Sequence, residues 1–260
     1  MGERVHFAAP PVMEVVCGVL FGGLPALRVP YVGTFWEKVR SDFPLVEEVP
    51  PIPAQLGGEE GISIQFEIAP QLPRTWMKAR DDGSLLQLQR DRFLYNWKRP
   101  HTREPYPSYE KVIAEFERYW GVFTKFIQDN ELGKIEPRQY ELTYVNHIQV
   151  ETVPAGDPVF IDHVRNDSRP RFLPPPAHYR YQINYDLPDG FGSLQISAGT
   201  SRSAAGETPI RLDMTARGMS GAGEPSAMRK WFDLAHDWIV NGFIDLTTER
   251  MQKEVWRRIS

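Results

Sequence analysis

Two hydrophobic periods alternate along this chain, and the points where one gives way to the other divide it into elements. Val12 to Phe21, VMEVVCGVLF, is a β-branched and nearly unbroken apolar run, which predicts a central strand buried on both faces. After a Pro/Gly connection, YVGTFWEKVRSDF sets Phe35, Trp36, Val39 and Phe43 at helical spacing and predicts a short helix that Pro44 ends. VPPIPAQLGGEEG reads as loop. ISIQFEI then alternates strictly, with Ile62, Ile64, Phe66 and Ile68 on one face of a half-buried strand. TWMKAR, LLQLQ and FLYNW, separated by DDGS and RDR, predict an antiparallel meander. Ser108 follows as the N-cap of a long amphipathic helix striped by Tyr109, Val112, Ile113, Phe116, Trp120, Phe123 and Ile127; Gly133 and Pro137 lie beyond its end.

The second half repeats this order. QYELTYVNHIQV predicts a strand, PVFIDHVR a short helix and FLPPPA a stiff connection. HYRYQINYDL alternates Tyr179, Tyr181, Ile183 and Tyr185 against Arg180, Gln182, Asn184 and Asp186; Pro188 to Gly190 turns the chain and GSLQISAG returns it. PIRLDMTARG is a further strand before a helix striped by Met228, Trp231, Phe232, Ala235, Ile239 and Phe243, and LTTERMQKEVWRRI predicts a shorter final helix. The expected class is α+β: two antiparallel sheets, or one continuous curved sheet, with a long helix on each half. Residues 1–135 and 136–260 form two pseudo-repeated halves of one compact unit. Each meander presents one apolar face to its helix and leaves the other polar. In the second half that polar face carries His147, Arg180, Gln182, Asn184, Asp186, Gln195, Arg211 and Asp213.

Composition narrows the function classes only a little. The chain has 260 residues, a net charge of −4 and 41% hydrophobic residues, an ordinary water-soluble balance that does not suit a surface devoted to nucleic acid. No apolar run reaches membrane-spanning length, MGERVHFAAPP lacks the layout of a secretory leader, and His6 stands where a myristoylation motif needs Ser or Thr, so a cytoplasmic protein without a membrane partner is expected. Cys17 is the sole cysteine and, inside an apolar strand, reads as a small buried hydrophobe.

Chemical signatures are sparse. The histidines His6, His101, His147, His163, His178 and His236 show no HExxH or His-x-His spacing, so no metal or cofactor is expected. GSLQISAG lacks the nucleophile elbow, and Ser193 and Ser197 fall within an alternating strand. GMSGAGEPS precedes a helix without the lysine of a phosphate loop, and reads as a turn. The most distinctive stretch is LYNWKRPHTREPYPSY, in which Asn96, Trp97, Lys98, Arg99, Arg103 and Tyr106 interleave cations with rings as phosphate contact and base stacking require. A strand-to-helix corner stiffened by Pro105 and Pro107 accounts for the same residues, and Asn96 and Asn146 read as groups that satisfy backbone.

PPVMEVVCGVLF, FLYNW with YPSYEKVIAEF, YELTYVNHI and HDWIVNGFIDLTTERMQKEVW together resemble a sporadically distributed family of uncharacterised bacterial proteins of about this length, and the resemblance runs over essentially the whole chain. It implies one architecture rather than a fusion, no established activity, and a hint of horizontally mobile defence or toxin–antitoxin genes. The leading expectation is a non-catalytic binding or assembly component that recognises a protein partner. A nucleic-acid-binding module using residues 90–109 is the alternative, and an enzyme assembled only in space, with His147, Asp186 and Asp213, is the third.

Overall fold

The computed structural model describes residues 6–53, 72–100, 105–149, 180–200, 210–219 and 226–259. The expected strand ISIQFEI, the helix PVFIDHVR, the FLPPPA connection, most of GMSGAGEPS, and His101, Arg103, His163, His178 and Tyr179 lie outside these residues. What is described is an α+β fold with a large antiparallel sheet of nine strands. The strands are β1 (Val12–Phe21), β2 (Leu45–Val49), β3 (Arg74–Lys78), β4 (Ser84–Gln89), β5 (Arg92–Lys98), β6 (Pro137–Ile148), β7 (Arg180–Asp186), β8 (Ser193–Thr200) and β9 (Ile210–Gly218). Their spatial order is β2-β3-β4-β5-β1-β6-β9-β8-β7, so the sheet is continuous and not split in two.

β1 is central, as its apolar run requires, and its edges pair with β5 on one side and β6 on the other. Val15, Cys17 and Val19 are wholly buried on the side of the helices. The opposite side of β1 carries Val16, Gly18 and Leu20; a Cβ added to Gly18 would lie 2.2 Å from Leu94 Cδ2, so the Leu94 side chain fills that space.

Among the described residues three helices cover one face. α1 (Val29–Val39) begins with Pro30 in its first turn, where the missing N–H costs nothing, and ends at Val39, short of Pro44. The residues after that end, LVEEV, form β2, an edge strand that no alternation announces, because both its faces are largely exposed. α2 (Tyr109–Asp129) is capped by Ser108, whose Oγ accepts from the Lys111 N–H at 3.4 Å. Its buried face includes Tyr119 and Phe126, while Trp120 is only half-buried against Phe21 and Phe93. α3 (Ala227–Leu246) packs on β6, β8 and β9. The final stretch forms a π-type helical turn, Met251–Val255, in place of a regular helix.

α2 and α3 meet through Phe116 and Phe232, ring centroids 5.1 Å apart. Arg229 fastens the same seam from outside: its guanidinium reaches Glu110 at 2.6 Å, Glu117 at 3.2 Å and Asp233 at 3.0 Å. Tyr109 stacks on His236 at 4.0 Å and donates its hydroxyl to Asp233 at 2.9 Å. At the far end of the sheet Gly192 and Gly218 let two backbones touch, since a Cβ on Gly192 would fall 1.9 Å from the Arg217 carbonyl oxygen. Among the described residues no helix is long and apolar enough to cross a membrane.

Phe116→Asp or Phe232→Asp would bury an unpaired carboxylate in this seam and is expected to cost about 4 kcal/mol, read as a large fall in melting temperature and in denaturant midpoint. Unchanged melting of both variants would contradict the packing described.

Candidate functional site: the open face of the sheet

Register places alternate residues of every strand on the face away from the helices. One row crosses all nine strands: Leu45, Lys78, Leu85, Asn96, Val16, Thr143, Thr215, Gln195 and Asn184. Its character changes at the middle. The β2–β1 side alternates apolar and polar groups, whereas from β6 outward every member carries a hydroxyl or a carboxamide. The next row ends in Glu141, Arg217, Ser193 and Asp186, and two further rows hold Gln182, Ser197 and Asp213, and Arg180, Gly199, Arg211 and His147. The polar residues expected on the second half's free face therefore share one face.

The two sides of this face differ in access. Between β3 and β1 a hydrogen-bond relay is largely buried. Gln87 Oε1 accepts from Arg74 Nη1 at 3.1 Å and from Trp76 Nε1 at 3.0 Å; Gln87 Nε2 donates to Asn96 Oδ1 at 2.8 Å, and Asn96 Nδ2 donates to Glu14 Oε1 at 2.6 Å. Ile52 closes over one end, its N–H donating to Gln89 Oε1 at 2.9 Å, and Arg92 donates to the Pro53 carbonyl at 3.2 Å. Burial, with the charge of Arg92 second, pushes the Arg74 guanidinium below its ordinary pKa. On the β6–β7 side the rows are buried at Val145 and Thr215 and open outward, with Ser193, Gln195, Ser197 and Asp213 half-buried and Gln182, Asn184 and Asp186 exposed. Charges there are matched within the face: Arg217 Nε donates to Glu141 at 2.7 Å and Arg211 Nε to Asp213 at 2.8 Å, while Thr143 donates to Thr215 at 3.0 Å.

His147 stands where the two sides meet. Burial, then the neighbouring charge of Arg211, lowers its pKa below the usual 6.5, while Asp213 and Glu14 pull the other way. Asp213 shares its neighbourhood, but Asp186 lies in the row of Glu141 and Arg217, four residues along β7 from the Gln182 that stands in Asp213's row. Among the described residues no group of three or more His, Cys, Asp or Glu side chains is placed to hold a metal ion.

The corner after β5 divides its residues between the faces. Asn96 points to the open face and joins the relay, bonding side chains and not backbone; Asn146 does satisfy backbone, donating to the Leu212 carbonyl at 3.1 Å. Trp97 faces the helices and meets Tyr106 edge-on at 5.3 Å. The Tyr106 hydroxyl lies 2.9 Å from that of Tyr144, which lies 3.1 Å from His236 Nδ1, and burial holds both phenols protonated far above the usual range. Lys98 pairs with Asp82 at 2.9 Å. Arg99 donates to the Val12 and Pro10 carbonyls, both at 3.0 Å, and so clamps the entry to β1. Spacing along the chain carries no sign of these cross-strand partners. The signal available for the polar face was the alternation itself.

Asn96→Leu would leave Glu14 and Gln87 without their shared partner and is expected to destabilise the fold by about 2–3 kcal/mol in urea titrations. A pH effect follows from His147. With its folded pKa below 6.5, the unfolded chain takes up the proton first, so this group's contribution is present at neutral pH and is lost as pH falls below 6.5. His147→Gln is expected to flatten the fall of unfolding free energy between neutral pH and about pH 5. An unaltered slope would show that His147 titrates alike in both states.

No protein-family model, no curated protein and no solved structure matches this chain, so the face is read from its own geometry.

Proposed function

We propose that this protein is a non-catalytic binding or assembly component that recognises a protein partner through the β6–β9–β8–β7 side of its open sheet face. The observation that carries this reading is the set of register-aligned, accessible hydroxyl and carboxamide side chains, Thr143, Gln195, Asn184, Ser193, Ser197 and Gln182, on a face that the helices leave uncovered. Such groups donate and accept without a charge to desolvate, which suits a partner's polar main chain and side chains. The charges of the same rows balance, with Arg180, Arg211 and Arg217 against Glu141, Asp186 and Asp213. A phosphate-binding face would need a surplus of cations. Placement in a defence or toxin-neutralising system rests on the family resemblance of the opening strand, the β5 corner and the tail.

The halves 1–135 and 136–260 are read as pseudo-repeats. In support, β1 pairs with β5, the last strand of the meander that follows it, and β6 likewise pairs with β9. Each meander then runs outward from that pair, through β4 and β3 or through β8 and β7, and each is followed by its helix. On this reading the buried relay and the open polar side are two versions of one surface, of which the second kept its access.

The test is recovery of the partner from the native host, followed by reconstitution from pure components. Gln195→Arg with Ser197→Arg is expected to weaken the reconstituted complex at least about tenfold, because each sets a long cation where a short neutral group meets the partner. Lys125→Glu, on α2, is expected to leave it unchanged. Equal binding by all variants would refute the face. Salt-sensitive nucleic-acid binding in an anisotropy titration, or reproducible turnover abolished by His147→Ala, would replace the reading with one of its rivals.

A further inference from the structure

Among the described residues the sheet ends in β2 and β7, and these two edges are chemically unlike. β2 is guarded: an antiparallel second copy of LVEEV, centred on Glu47, would set Glu47 against Glu47 and Val46 against Glu48. β7 reads RYQINYD, and among the described residues it pairs only with β8. Turned antiparallel upon itself about Ile183, this segment is self-complementary. Arg180 comes opposite Asp186, Gln182 opposite Asn184, Tyr181 opposite Tyr185, and Ile183 opposite Ile183. The faces agree as well, since Arg180, Gln182, Asn184 and Asp186 share the open face and Ile183 and Tyr185 the other.

We propose that β7 is a homodimerisation edge, on which a second copy of this chain adds its own β7 in antiparallel register centred on Ile183, joining two nine-stranded sheets into one. Charge complementarity selects this occupant. A two-fold axis repeats each contact, so one Arg180–Asp186 match becomes two salt bridges, one at each end of the strand pair. Both side chains are exposed on a face where Arg211 and Arg217 already have carboxylate partners. Any register shifted by two residues loses both salt bridges, and a shift by one sends the side chains to opposite faces. Tyr185, 38% exposed, gains an aromatic cross-strand neighbour in the centred register. Pairing also brings two polar faces edge to edge, so a partner spanning them would be held twice.

Sedimentation equilibrium of the full chain is expected to show a dimer. Arg180→Asp alone, or Asp186→Arg alone, places like charges at both ends and is expected to raise the dissociation constant about tenfold or more. The combined R180D/D186R chain restores both matches and is expected to return to the dimer, a recovery that general destabilisation would not produce. A second, position-specific readout is Ile183→Cys under mild oxidation. Facing residues of an antiparallel pair lie within disulfide reach, and the native Cys17 is fully buried, so a covalent dimer reports this register. A monomer at the highest soluble concentration would overturn the proposal, as would a dimer that ignores both reversals and forms no link at 183.

Discussion

The backbone of Val12–Phe21 runs through the middle of the sheet and is buried over most of its length, so its N–H and C=O groups need a strand beside them on both edges. That requirement organises the molecule. β5 and β6 satisfy it, and because β6 begins more than a hundred residues after β1 ends, meeting it ties the first half of the sequence to the second. The remaining strands continue outward from this triplet, and the helices close over the side on which Val15, Cys17 and Val19 are wholly buried. Arg99 contributes to the same end from the side, since its guanidinium holds the Pro10 carbonyl just ahead of the strand and the Val12 carbonyl at its first residue.

With one face given to the helices, the other had two ways to accommodate its polar side chains, and the protein uses both. Between β3 and β1 the polar groups are bonded to one another and closed off by Ile52 and Pro53, which converts a surface into interior. From β6 to β7 most of them remain open to solvent, with the charges matched and Thr143 bonded to a buried Thr215. A buried relay tolerates few changes, because every member is another's partner. An open face of short hydroxyls and amides tolerates many, and that freedom suits a surface that recognises another molecule.

Much of this architecture was legible in the chain. Turn signals located the first meander, and alternation assigned Arg180, Gln182, Asn184 and Asp186 to one face, because a period of two is enforced wherever one side of a strand is buried. The continuous run VMEVVCGVLF marked the centre for the complementary reason. β2 escaped notice because LVEEV is exposed on both sides at an edge, so burial imposes no period on it. The corner misleads in another way. Lys98, Arg99, Trp97 and Tyr106 are neighbours along the chain, but their partners are Asp82, the Val12 and Pro10 carbonyls and Tyr144, contacts set by strand order that no spacing encodes. Asn96 is legible as polar and near a strand end, while its bonds to Gln87 and Glu14 depend on which strands lie beside it.

Cys17 gains a use from its position. It sits at the midpoint of β1, fully buried, and that burial pushes its thiol pKa well above the ordinary value, so the reactive thiolate is scarcely formed while the fold is intact. A thiol reagent can reach it only when the strand separates from a neighbour or the helices lift away. The rate at which the native protein is alkylated therefore times the opening of the very element that joins its two halves, and does so without any engineered label.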